Sequence, residues 1–142
     1  MINKISKILF AFLFVMSLQA ANAQTIRIAS VSGPAHHHNK ALNWFADKVN
    51  KQNLGVTFKV LSGGQLGKSE RAYIEGMQQG TIQMSQVSTG PMAGFVGEFD
   101  IFSLPYMFRD TDHFKKVLSG PIGDKFLGML DAKGIKGLAW FD

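Results

Sequence analysis

The sequence predicts an α/β fold: a parallel β-sheet with helices on both faces, three layers in all. Two observations predict it. Short stretches whose apolar residues alternate with a period of two recur between stretches whose apolar residues fall at helical spacing. The links between them are short and rich in glycine, asparagine and serine. Strands that alternate with helices in this way pair in parallel, because each helix carries the chain back over the sheet to start the next strand.

Residues 24–30 (QTIRIAS) alternate at Ile26 and Ile28 and are predicted as the first strand. A loop over 31–38 carries Gly33, Pro34 and three consecutive histidines, His36, His37 and His38. A helix is predicted over 39–51, where Leu42, Phe45 and Val49 share one face, and Asn50, Asn53 and Gly55 end it. Residues 56–61 (VTFKVL) alternate at Val56, Phe58 and Val60 and form a second strand. After the loop 62–68 (SGGQLGK), Ser69 is a good N-cap and Glu70 suits the positive end of the helix dipole. This second helix runs to about Gln79 with Tyr73, Ile74 and Met77 inward, and Gly80 follows as a natural C′ residue. Residues 81–87 (TIQMSQV) are predicted as a third strand. Right-handed crossovers then bring the segments 31–38, 62–69 and 88–91 to one edge of the sheet. That edge, beyond the carboxyl ends of the strands, is where such sheets bind ligands.

The stretch 86–114 reads as a small polar turn, Ser88-Thr89-Gly90-Pro91, above an aromatic floor that includes Phe102, Tyr106, Met107 and Phe108. A helix over 111–118 places Phe114, Val117 and Leu118 on one side. Pro121 sits near the first position of the next helix, in which Ile122, Phe126 and Leu130 line a face. Gly134 caps it, and 135–141 (IKGLAWF) is predicted as one more strand.

The chain has 142 residues, room for one domain or part of one. Residues 1–23 have the layout of a secretory signal peptide. Lys4 and Lys7 form a basic start, Ile8 to Leu18 is an apolar run broken only by Ser17, and Ala21-Asn22-Ala23 is a small-x-small cleavage site. The run is shorter than the roughly 20 residues a spanning helix needs, so cleavage after Ala23 is expected rather than a membrane anchor. Removing Lys4 and Lys7 lowers the net charge from +5 to +3. A mild positive charge without a basic cluster argues against nucleic acid as a partner. With no cysteine the chain has neither disulfides nor a lipid attachment point, so its core must stabilise it. A soluble periplasmic protein, monomeric and free of cofactors, is expected.

The leader, the segment LSGGQLGKSERAYIEGMQQGTIQM and the segment FSLPYMFRDTDHFKKVLSGPIG resemble, in order and spacing, the solute-binding subunits of TRAP (tripartite ATP-independent periplasmic) transporters. The resemblance implies a periplasmic-binding-protein type II-like fold of two α/β lobes joined by hinge strands and a long helix. A small organic anion, a C4-dicarboxylate or related carboxylate, binds between the lobes of such receptors. They deliver it to membrane subunits driven by an ion gradient. Family members continue for roughly as long again beyond the equivalent of Asp142, including most of the second lobe and an arginine that clamps the ligand carboxylate. On this resemblance, 24–142 is an N-terminal lobe with the second lobe mostly missing.

Seven residues are candidates for ligand contact. His37 falls where the family pattern has a polar contact, with His38 beside it; the plain alternative is a solvated loop. Arg71, at a helix start, can bind a carboxylate in bidentate fashion, and the family places a contact near here. The loop is one residue longer than in some members, which leaves open whether Glu70 or Arg71 takes that role. Ser88, Thr89 and Gly90 lie in the family's ligand loop, where hydroxyl and backbone N–H groups can bind carboxylate oxygens; they equally suit an ordinary turn. No metal is expected, because consecutive histidines in a loop do not all face one ion and no nearby carboxylate or cysteine completes a set. Catalytic residues are not expected either. Asp110, Asp112 and His113 have no nucleophile beside them and read as a helix cap and solvated face, and the Gly-x-Ser-x-Gly elbow of a secreted α/β hydrolase is absent. That enzyme, and an exported fragment that binds nothing, are the alternative readings.

Overall fold

The computed structural model describes residues 24–141; the predicted leader, 1–23, and Asp142 lie outside the described residues. The chain runs β1 (Gln24–Ala29), α1 (His37–Asn50), β2 (Val56–Leu61), α2 (Glu70–Gln78), β3 (Met84–Ser85) and α3 (Thr89–Ala93). A 3-10 segment (Gly97–Ser103), α4 (Thr111–Leu118), α5 (Pro121–Met129) and a final 3-10 turn (Leu130–Lys133) follow. The sheet is parallel with order β2-β1-β3. β1 is therefore central, and Ile28, Ala29 and Ser30 at its end are fully buried. Successive side chains point to opposite faces, so consecutive burial means that both faces of β1 are covered.

Local signals placed the helices well. α1 starts at His37, two residues before the predicted start, because the His36 ring serves as its cap: its Nδ1 accepts from the His38 N–H at 3.3 Å. Ser69 caps α2 as predicted, accepting from the Ala72 N–H at 3.2 Å, and Gly80 leaves it with φ +72°. Asp110 caps α4 through the His113 N–H at 2.7 Å, and Pro121 opens α5.

Three expectations are corrected. The predicted third strand over 81–87 shrinks to Met84–Ser85, which pair only with Ile28 and Ala29. Upstream, the Thr81 and Ile82 N–H groups both donate to the Gly76 carbonyl at 2.9 and 3.1 Å, folding the chain under α2. The Gln83 Oε1 accepts from the Arg27 N–H at 3.3 Å, so a side chain replaces a strand carbonyl there. The strand predicted at 135–141 does not form. No strand among the described residues pairs with it, and alternation without a neighbouring ladder only seats side chains. Ile135 is buried, and the Trp140 ring centroid lies 5.4 Å from that of Phe102.

The third correction concerns the apolar faces. Phe102 joins the floor, 4.8 Å from Phe126 and 5.9 Å from Phe99 between ring centroids. Tyr106, however, stands fully exposed at the tip of a turn, with φ +59°. Ile122 is 54% exposed because α5 seats Gly123 instead: a Cβ there would lie 1.9 Å from the Leu118 carbonyl oxygen. Only glycine permits that approach of α5 to the end of α4.

The last residue of α1 clamps β2 at its outer edge. Asn50 Nδ2 donates to the Phe58 carbonyl at 2.9 Å and Asn50 Oδ1 accepts from the Phe58 N–H at 2.7 Å. This satisfies an edge backbone that would otherwise offer itself to another strand. Asn50→Ala is predicted to cost about 1–3 kcal/mol, since it leaves both backbone groups of Phe58 unpaired. An unchanged urea midpoint would show that water replaces the amide at no cost.

Candidate functional site

The predicted edge is assembled by hydrogen bonds that join its first segment to the second and, through the start of α2, the second to the third. Beyond β1 and β2 the Gly63 N–H donates to the Ser32 carbonyl at 2.7 Å and the Gly64 N–H to the Ser30 carbonyl at 3.2 Å. Asn39, fully buried in the first turns of α1, donates Nδ2 to the Ser32 and Gly33 carbonyls, both at 2.7 Å. These bonds fix the first loop from below. The second and third segments meet through Glu70. Its carboxylate accepts the Ser88 N–H at 3.0 Å and the Ser88 hydroxyl at 3.1 Å. Ser88 thus already presents two donors to a carboxylate, and that carboxylate is the protein's own. Thr89 and Gly90 are not in an open turn as expected but begin the short helix α3.

Arg71 reaches across to the same segment. Its guanidinium carbon lies 5.1 Å from the Phe95 ring centroid, and its Nε donates to Glu75 Oε1 at 3.0 Å. The side chain is 63% exposed, so the Glu75 pair is a weak restraint. Glu70 is half-buried and turned to Ser88, whereas Arg71 lies on the open surface. The Glu70 carboxylate is thus engaged within the protein, whereas most of the Arg71 side chain is open to solvent.

Tyr73 supports the loop beneath them. The buried ring donates its hydroxyl to the Gly67 carbonyl at 2.6 Å, and a Cβ on Gly67 would sit 3.3 Å from the ring. With φ +146°, Gly67 also holds a backbone conformation that L-residues rarely adopt. Burial pushes the Tyr73 hydroxyl above the usual phenol range, and the Glu70 carboxylate adds to the effect.

His37 and His38 open α1 just after His36, the last residue of the first loop, and the three rings are in mutual contact, with centroids 4.2 to 4.7 Å apart. Their ligating atoms all fall within 4.8 Å of one another. The expectation that consecutive histidines cannot converge is therefore corrected. His36 has an extended backbone (φ −63°, ψ 142°) just outside the helix, which lets its ring fold back over its neighbours. A separate cavity of about 310 Å³, lined by residues that include Arg27, Leu66, Glu75 and Ile82, contains none of the seven candidate residues. No helix of the described residues is long and apolar enough to cross a membrane.

Residues 28–142 match the family described as bacterial extracellular solute-binding protein, family 7. The chain belongs to that family. The match begins within β1 and takes in all three segments of the edge. The chain is 39% identical over 123 residues to a solute-binding protein of Verminephrobacter eiseniae, covering 85% of this chain and 36% of that protein. It is 35% identical over 121 residues to the C4-dicarboxylate-binding periplasmic protein DctP of Rhodobacter capsulatus, covering 82% and 35%. The fold superposes with TM-score 0.77 and 34% identity on a TRAP periplasmic solute binding protein from Citrobacter koseri solved with bound D-glucuronate. That superposition covers 84% of this chain and 40% of the other, as one lobe would. The relatives are solute-binding proteins, not enzymes.

Two parts of the edge escaped the sequence reading. Asn39 looked like a helix start, and its position one helical turn before Asn43 gave no sign of its burial. The Glu70–Ser88 link joins residues 18 apart, and only the folded backbone sets that distance. A prediction follows from Tyr73. Its neutral form is favoured in the fold, while the unfolded chain ionises from about pH 10. Above that pH the unfolded state holds fewer protons, so stability falls as pH rises. Tyr73→Phe should cost about 1 kcal/mol at neutral pH by leaving the Gly67 carbonyl unpaired, and should flatten the alkaline decline. Identical urea midpoints and pH slopes in the two proteins would rule the hydrogen bond out as a support.

Proposed function

We propose that this chain supplies one wall of the ligand cleft of a periplasmic receptor. The receptor captures a small organic anion, a C4-dicarboxylate, sugar acid or related carboxylate, without chemistry, and hands it to TRAP membrane subunits for ion-gradient-driven uptake. Export through the leader 1–23, cleavage after Ala23, a monomeric state and transient docking on the membrane subunits belong to the same reading. The wall comprises His37, His38, Glu70, Arg71, Ser88, Thr89 and Gly90. In this arrangement Arg71 supplies charge, the Ser88 and Thr89 hydroxyls supply neutral donors, and Glu70 orients Ser88 until the ligand arrives.

The observation that most supports the reading is the two-point grip of Ser88 on a carboxylate at the joined strand ends. A ligand carboxylate has the same acceptor geometry as the Glu70 side chain. The names of the relatives, which include a C4-dicarboxylate-binding protein and one solved with D-glucuronate, set the range of acids to try.

The cognate acid should raise the melting temperature through mass action on the folded state, by an amount that grows with its concentration. A flat response to C4-dicarboxylates, uronates and other sugar acids would count against the receptor. Arg71→Ala, and Ser88→Ala combined with Thr89→Ala, should each weaken the best acid at least roughly tenfold, because hydrogen bonds to a charged group are lost. They should leave the melting temperature without ligand nearly unchanged, since these side chains lie near the surface. Calorimetric titration that gives wild-type affinity for both variants would move the ligand away from this wall.

A further inference from the structure

We propose that His36, His37 and His38 form a binding site for a divalent transition-metal ion, with Zn2+ the best match. Imidazole is a borderline donor that suits Zn2+, and a three-histidine set leaves one tetrahedral position open. Zn–N bonds of about 2.0–2.1 Å place tetrahedral ligand nitrogens about 3.4 Å apart. The present atoms lie within 4.8 Å, so rotations of the exposed His36 and His37 rings toward the half-buried His38 ring close the set without moving the backbone.

Three features make this more than a run of histidines. His36 lies outside the helix and so escapes the divergence of consecutive helical side chains, stacking on His37 at 4.3 Å, and the rings of His37 and His38, both in the first turn, nevertheless meet at 4.2 Å. The loop beneath is fixed: the His36 N–H donates to the Gly33 carbonyl at 3.0 Å, and Asn39 holds the Ser32 and Gly33 carbonyls. The Phe141 ring stands edge-on to His38 at 5.1 Å and walls one side. The positive end of α1 opposes a cation, which makes this a weaker site than a closed structural one.

The ion competes with the helix cap. His36 Nδ1 accepts the His38 N–H, so the neutral ring carries its proton on Nε2. Coordination through Nε2 places a proton on Nδ1, and coordination through Nδ1 uses its lone pair; either ends the cap bond. His36→Asn separates the two roles, because asparagine caps well and carries no imidazole.

The test is calorimetric titration of ZnCl2 into the full chain, purified without a histidine tag and stripped with chelator. One saturable ion per chain is expected. His36→Asn and His37→Gln should each weaken Zn2+ at least roughly tenfold, the least that disturbing a ligand's support costs, with unchanged circular dichroism. The absence of saturable binding, or equal Zn2+ affinity in both variants, overturns the site; the latter would place the ion elsewhere, at His113 for example. The inference stands apart from the organic-acid reading. Zn2+ is titrated without acid and the acid is titrated in chelator, so either can fail alone.

Discussion

β1 is held along both edges, and the rest of the lobe depends on that. Its pairing with β2 runs from Gln24↔Val56 to Ala29↔Leu61, and on the other edge it meets β3 at Ile28 and Ala29. Where the ladders end, the bonding continues. The Ser30 N–H donates to the Leu61 carbonyl at 3.1 Å, and the Ala29 carbonyl accepts both the Gln86 N–H and the Ser85 hydroxyl. Buried backbone groups must find partners. Here the partners are the last residues of β2 and β3 and the residue just after β3, so satisfying β1 also draws the loops that follow to one edge.

Order β2-β1-β3 adds a second consequence. The chain leaves β1 to one side through α1 and returns past it to the other through α2. With right-handed crossovers, those helices fall on opposite faces, and the strand order switches at β1. The crevice at such a switch is lined by whatever follows the strands. In this chain that is a histidine loop resting on Asn39, the Gly67 loop resting on Tyr73, and Ser88 held by Glu70. Each of the three segments at this edge thus has one side chain beneath it that accounts for its shape.

The aromatic half of the lobe has a different task. Phe99, Phe102, Phe126 and Trp140 interlock with ring centroids 4.8 to 6.1 Å apart, and Met92 and Val96 join α3 to that cluster. Ile74 of α2 belongs to the same cluster, while its neighbour Tyr73 packs with Ala29 and Ile82. α2 is therefore the element shared by the sheet and the aromatic layer. Glu70 and Arg71 lie in its first turn, so the position of that part of the edge is fixed from both sides.

The sequence by itself determined whatever rests on neighbours along the chain. Ser69, Asp110, Pro121 and Gly80 act within one helical turn, so the limits of α2 and α4 and the start of α5 were legible, as were β1 and β2 from their alternation. The ordered motifs around Gln65-Leu66-Gly67 and Leu104-Pro105-Tyr106 also carried the family. Only the tertiary structure decided what rests on distant partners. Alternation at 81–87 and 135–141 could not reveal that Gly76 would capture Thr81 and Ile82, or that no ladder would meet the last segment. Residue type could not show that Glu70 would hold Ser88, that Asn39 would be buried, or that three histidine rings would converge. Each depends on backbone placed by β1, and a side chain's role follows from which atoms that placement brings within reach.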